Sequence, residues 1–207
     1  AQKYLRAEME SFNMLSALCE KTDCDYEIKD NYVYSAYDKI ALEDELRALN
    51  KIGFKAELCR ELPLPIENVG GICFKNQAQF NPLKFVSGIV KELNIYENTF
   101  VREMVGDTAV TDFGKIKADK VIVTTHFPFI NKHGFYFLKL YQHRSYVIAL
   151  ENAEIPAGMF VDENRNGYSL RQYKNYLLLG GGAHRTGKKG GNWNELRRFA
   201  NVHYPNS

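Results

Sequence analysis

The stretch GGGAHRTGKKGG, residues 180–191, sets a glycine, four residues and then Gly-Lys from Gly182 to Lys188. That is most of a phosphate-cradling loop, in which backbone N–H groups and a lysine hold phosphates and a following Ser or Thr holds magnesium. The chemistry also needs a strand before the loop and a helix N-terminus directly after it. NYLLLGG reads as a buried strand, but Lys189 stands where the magnesium ligand belongs. Gly190, Gly191 and Asn192 read as poor helix starters. A nucleoside triphosphatase is therefore set aside, and the stretch reads as a basic turn between a strand and a closing helix, WNELRRFANVHYP.

Other reactive side chains are sparse. Cys19, Cys24, Cys59 and Cys73 form no C-x-x-C and have no histidine at a zinc spacing, so reduced thiols, no metal and a cytoplasmic setting are expected. Asn76, Gln77 and Gln79 crowd amides between Phe74 and Phe80; at least one must bond to backbone inside the fold. The 207 residues carry a formal net charge of +2, which gives no general pull toward nucleic acid or an anionic membrane. At 45% apolar and 25% charged the composition is that of an ordinary globular chain. Apolar runs such as VIVTT and YVIAL fall far short of the roughly 20 residues of a membrane-spanning helix.

The elements that must position these groups follow from periodicity. Leu5, Met9, Phe12, Leu15, Ser16 and Cys19 recur at helical spacing, predicting a first helix that ends near Thr22. CDYEIKDNYVYSAY alternates and is broken at Asp30-Asn31, which predicts a hairpin. ALEDELRALNKIGF predicts a helix closed by Gly53, and NPLKFVSGIVKEL another with Asn81 as N-cap and Pro82 in its first position. Four short strands are expected next, NIYENTFVREM, TAVTDFG, KIKA and a doubly buried DKVIVTTHFP. RSYVIALE, GMFVDE, GYSLRQY and NYLLLGG predict a second set.

The pieces NQAQFNPLKF, ENTFVREM, ADKVIVTTHFP and RSYVIALE, in this order, resemble the middle of a flavin-dependent oxidoreductase of the D-amino acid oxidase and glycine oxidase family. The resemblance spans essentially the whole chain. It is nearest to a bacterial branch that writes NQAQFHPLKY and GGEGHKTG, some members of which carry a Rieske domain. Here Asn81 replaces the histidine and GGGAHRTG replaces GGEGHKTG. The family opens with a G-x-G-x-x-G turn that takes the FAD pyrophosphate and closes with a glycine-rich strand and helix around the flavin; neither pattern occurs in these residues. No Cys-x-His pair for a Rieske cluster occurs either. The resemblance thus implies a central segment, whose partners are the N- and C-terminal parts of the same protein and which, isolated, would hold no FAD and be inactive.

The resemblance also assigns roles. Backbone at Val101 would face the adenine. Thr124, Thr125 and His126 would end the buried strand at the cofactor, where His126 either reaches ribose or pyrophosphate or caps the strand without a ligand. Arg144 and Tyr146 lie on the segment passing the flavin ring; the guanidinium suits a substrate carboxylate, or else forms a surface ion pair. His184 either binds substrate or acts as a base, or is an exposed loop histidine. Tyr34, with Tyr32, is expected to face the same cleft. The ends of VIVTTH, RSYV and LLLGGGAH should then converge, with mobile loops at 127–143 and 183–192.

The expected architecture is α+β, a mixed and mainly antiparallel sheet with helices on one side, plus a small strand layer from a FAD-binding domain. Residues 1–80 and 131–207 would form the substrate domain and 81–130 the strand layer. The expected function is oxidation of the C–N bond of an amino acid or amine by hydride transfer to FAD. The alternative is a stand-alone module binding a small ligand or a protein on its Tyr-rich sheet.

Overall fold

The computed structural model describes residues 1–130, 134–154 and 156–207. It forms two compact units, one of residues Ala1–Lys91 with Arg144–Ser207 and the other of Glu92–His143. Part of the loop at 127–143, expected to be mobile, lies outside the described residues.

The first unit is built on a seven-stranded sheet. Its strands are β1 (Glu27–Tyr34), β2 (Glu57–Cys59), β3 (Gly71–Gln79), β7 (His143–Leu150), β8 (Met159–Asp162), β9 (Ser169–Tyr173) and β10 (Tyr176–Arg185), in the spatial order β2-β3-β1-β8-β9-β10-β7. β1 pairs with β8 in parallel. The β1–β3, β2–β3, β8–β9 and β9–β10 ladders are antiparallel. The sheet is therefore mixed and mainly antiparallel, as expected.

Its helices are α1 (Gln2–Cys19), α2 (Lys39–Lys51), α3 (Pro82–Ile89) and α5 (Trp193–His203). Their ends follow local chemistry. Asp38 caps α2 by accepting the Ala41 N–H at 2.8 Å, and Gly53, at φ 81°, lets the chain leave it. Asn81 caps α3 through the N–H groups of Leu83 and Lys84. Asn192 caps α5 through those of Asn194 and Glu195. That corrects the reading of residues 190–192 as unfit to start a helix: an asparagine outside the first turn is among the best caps, whatever precedes it.

The core lies where α5 covers one face of the sheet. Tyr34, Phe160, Leu170, Leu177 and Leu179 meet Leu196, Phe199 and Ala200 there, and Phe160 stacks on Tyr32 with centroids 4.8 Å apart. Helices are not confined to that side. Phe54, just after α2, packs on Phe74 at 5.7 Å, and Phe74 alternates with Cys73, which pairs with Tyr32. Among the described residues, the part of the second face around Met159, Arg171 and Leu178 is lined by strand residues.

The expected hairpin at Asp30-Asn31 is instead one continuous strand, and opposite it β3 is bulged, with Lys75 and Asn76 standing against the single residue Asp30. The Asp30 carboxylate accepts the Asn76 N–H at 3.0 Å and the Lys75 ammonium at 2.9 Å across the ladder, so Asp30 pins the bulge of β3, where Asn76 has φ 55°.

One anchor ties the first unit's helices to its sheet. Asp25 accepts from the Tyr173 hydroxyl at 2.6 Å and from Lys84 at 2.9 Å, while Asn81 donates to the same tyrosine oxygen at 2.8 Å. The Tyr173 hydrogen bond, followed by Lys84, holds the Asp25 carboxyl below its usual range. A lowered folded-state value means that this stabilisation is complete above the unfolded carboxylate value near ~3.9 and is lost as the pH falls through the folded one. Asp25→Asn is expected to lower the urea midpoint at pH 7 and to converge on the parent protein below that range. A gap that persists unchanged into acid would refute the assignment.

The second unit contains a three-stranded antiparallel sheet, β4 (Val101–Val105), β5 (Thr108–Thr111) and β6 (Gly114–Lys117), and a single turn, α4 (Tyr136–Lys139). The strand expected at DKVIVTTHFP does not form. Residues 118–128 are in no ladder, and Ile122 is 85% exposed. A doubly buried strand takes its hydrogen bonds from neighbours on both sides, and no described strand of this unit lies beside this one.

Candidate functional site

β10 continues through the glycines to Arg185, so residues expected as a loop are strand. Its end is closed by contacts that tolerate no side chain. A Cβ on Gly191 would collide with Gly182 Cα, and one on Gly190 with the His184 side chain. Gly182 itself has φ 65°, a left-handed conformation that breaks the period of two along β10. Simple alternation would put His184 on the face of Leu178 and Gly180; after the break it stacks on Tyr146 instead.

That stack has ring centroids 5.9 Å apart and an interplanar angle of 21°. Trp193, the first residue of α5, meets Tyr146 edge-on at 4.8 Å. His184 Nδ1 lies 3.0 Å from the Gly182 carbonyl oxygen. A carbonyl only accepts, so Nδ1 carries a proton and Nε2 is left as the acceptor of the neutral ring. Beside the trio, burial and then Glu195 raise the Tyr168 phenol above its ordinary value.

The other expected residues are placed as follows. Arg144 is exposed near the start of β7, on the same side as Tyr146 by alternation, with no ion pair among the described residues. Tyr34 shares the sheet with β7, but it is fully buried on the α5 side and its hydroxyl donates to the Tyr168 carbonyl at 2.9 Å. Burial, with Asp162, pushes its phenol well up. In the second unit Val101 is half-buried at the start of β4. Thr124, Thr125 and His126 are exposed, with His126 at φ 62° in a tight turn where Thr125 Oγ1 donates to the Phe127 carbonyl at 3.0 Å. Thus the ends of RSYV and LLLGGGAH do meet, through Tyr146 and His184, within the first unit.

The sequence reading missed the opposite face. Beneath β8, β9 and β10 the sheet carries a depression of about 270 Å³ lined by Asn31, Met159, Val161, Ser169, Arg171 and Leu178 among others. A second, of about 360 Å³, adjoins it and shares Val147, Val161, Ser169 and Gly180. A signal was present, since Ser169 and Arg171 alternate with the apolar Leu170 on a strand. What it lacked was the knowledge of which face α5 covers. The arrangement offers a cation, small polar groups and apolar walls on rigid backbone, the usual make-up of a small-molecule site.

The chain resembles proteins of known fold and family. It is 27% identical over 206 residues to the Bacillus subtilis (strain 168) protein YhfW, named for a Rieske 2Fe-2S iron-sulfur protein, with 91% of this chain and 40% of that protein covered. L-proline dehydrogenase from P. horikoshii shares its fold at a TM-score of 0.73 and 14% identity, over 99% of this chain and 63% of the other. Glycine oxidase from Geobacillus kaustophilus does so at 0.66 and 18%, over 94% and 60%. The chain thus spans less than two thirds of each of these relatives. The family model described as DAO, FAD dependent oxidoreductase, matches residues 1–206. The chain belongs to the DAO family of FAD-dependent oxidoreductases.

Proposed function

We propose that this chain is the central part of a flavoenzyme that oxidises the C–N bond of an amino acid or amine. The observation that carries the reading is the family match over residues 1–206. FAD, when bound, supplies the acceptor for the hydride.

The residues present fit the adenosine portion of that cofactor. Val121, Ile122 and Val123 offer exposed apolar surface at 43%, 85% and 44%, and the adjacent Thr124, Thr125 and His126 offer hydroxyls, an imidazole and open backbone. These three and Val101 would hold it, in a strand layer placed by the sequence at residues 81–130. The pyrophosphate requires a glycine-rich turn at a helix N-terminus, which residues 1–207 do not contain, so the N- and C-terminal parts of the same protein are the proposed partners. The substrate domain comprises residues 1–80 and 131–207, and the free thiols of Cys19, Cys24, Cys59 and Cys73 suit a reducing cytoplasm.

Arg144, Tyr146 and His184 are the substrate-binding residues of this proposal. Arg144 lies near the start of β7 and His184 near the end of β10, the neighbouring strand. His184 Nε2 can take a proton from a substrate ammonium, leaving the amine lone pair available for oxidation; Tyr146 holds that ring. Tyr34 is left out, because its hydroxyl is committed to the Tyr168 carbonyl. The imine formed would hydrolyse in water to a carbonyl compound and ammonia or a smaller amine.

The test is flavin content and reduction. The full-length protein containing this chain is expected to purify with FAD and to lose its visible flavin absorbance anaerobically on addition of a small amino acid. The isolated 207 residues are expected to be colourless. A full-length protein that binds no FAD, or whose FAD no amine reduces, would overturn the proposal.

A further inference from the structure

On the α5 side of the sheet, the turn between β8 and β9 borders another cavity, of about 390 Å³. Phe199 and His203 of α5 line it together with Tyr168, and these three rings form a row with centroids 4.2 and 4.4 Å apart. Ile66 extends this apolar wall. The formal charge on the lining has one sign. Asp162 and Glu67 border the cavity, no lysine or arginine does, and neither carboxylate has an ion-pair partner among the described residues.

Asp162 is the better placed of the two. It is half-buried, and one of its oxygens accepts the Asn164 N–H at 2.9 Å. The other lies over Gly167, where any Cβ would collide with it, and receives no hydrogen bond among the described residues. Burial raises the Asp162 carboxyl above its ordinary value, because the ionised form has lost water without gaining a counter-charge. A cation at the free oxygen supplies that charge. The neighbouring acid does not compete for it, since the Glu163 carboxylate accepts from the Ser35 hydroxyl at 3.0 Å.

The chemistry favours an organic cation over a metal ion. Asn164 spends its side chain within the turn, donating to the Tyr37 hydroxyl and accepting the Asn166 N–H. No group of three His, Cys, Asp or Glu side chains able to hold a metal occurs among the described residues. A wall of aromatic carbon offers nothing to a hydrated ion, yet gains by covering an alkyl group. A guanidinium fork matches two oxygens, and Asp162 has one to give, so the point charge of an ammonium fits better.

We propose that this cavity binds a small alkylammonium ion, with its charge on Asp162, its apolar body against Tyr168, Phe199 and His203, and the exposed Glu67 adding attraction from the rim. Asp162 alternates with Val161, which lines the depression on the other face, so the two cavities lie on opposite sides of one strand. The cation site does not rest on the flavoenzyme reading.

The experiment titrates the full-length protein by calorimetry with tert-butylammonium and with its neutral counterpart tert-butanol, in the parent, Asp162→Asn and Glu67→Lys. The carbon bearing the nitrogen of tert-butylammonium has no hydrogen, so the probe cannot lose a hydride and reports binding alone. It is expected to bind the parent at least tenfold more tightly than tert-butanol. Asp162→Asn keeps the shape and an oxygen for the Asn164 N–H, and should weaken tert-butylammonium roughly 20-fold, the scale of a lost hydrogen bond to a charged group, while leaving tert-butanol unchanged. Glu67→Lys changes an exposed side chain with little risk to folding and should weaken the cation about fivefold, the scale of an exposed charge reversed.

Parental binding of tert-butylammonium in folded Asp162→Asn would overturn the site. Should that variant fail to fold, Glu67→Lys decides, and unchanged binding there has the same meaning. Equal binding of tert-butanol and tert-butylammonium by the parent would show that charge plays no part and would also overturn it. So would displacement of the probe by calcium chloride but not by sodium chloride of the same ionic strength, which would make the cavity a metal site.

Discussion

Phe160→Ala is expected to lower the stability of the chain by about 3–5 kcal/mol, the range for a buried aromatic cut back to a methyl. Phe160 is 2% exposed and occupies the middle of the core face. It is flanked by Tyr32 on β1 and by Leu170 on β9, so it bridges the β1–β8 parallel pair and the β8–β9 antiparallel pair. The Tyr32 ring stacks on it at 10° and cannot collapse into the space without leaving the plane of its own strand. The site should therefore relax little, which puts the loss toward the upper end of the range. Urea denaturation measures it; a change below about 1 kcal/mol, the cost of an exposed substitution at most, would mean that this junction is not the core.

The second large effect is expected from Gly191→Ala. Its added methyl would have to share space with the backbone of Gly182, and backbone on both sides cannot step aside as a flexible side chain can. The loop before α5 must lift from the end of β10. Overpacking of this kind costs about 1–3 kcal/mol, but the local consequence is larger, because Trp193 follows two residues later and its edge-on contact with Tyr146 is lost. Trp193 is the single tryptophan of the chain, so the emission reports on the surroundings of this one ring. A red-shifted emission is expected in Gly191→Ala, together with a lower thermal midpoint. An unshifted spectrum would show that the aromatic trio does not depend on the glycine contact.

Both effects concern features that were legible to different degrees before folding. Phe160 and Leu170 announce themselves as the buried members of short alternating strands, and Leu177 and Leu179 likewise. Asn81 with Pro82, and Gly53 after α2, could be read as helix boundaries because a cap is settled within four residues. The family resemblance was also legible, since it rests on the order of whole segments.

Other features depend on partners distant in sequence. Whether Asp30-Asn31 turns the chain or continues a strand is settled by Lys75 and Asn76 across the ladder. Whether VIVTT is a strand depends on neighbouring strands, because a strand has no hydrogen bonds of its own. His184 was expected near Tyr146 on family grounds, but the reason they touch is the left-handed Gly182, itself imposed by Gly191 and Asn192 packed against it. Tyr34 and Arg171 both sit on alternating strands of one sheet, and each could have been the exposed one. α5 covers Tyr34 and not Arg171, so local periodicity determined that these residues lie on opposite faces of a sheet, whereas the packing of a helix more than twenty residues from the nearer of them decided which of the two would be buried.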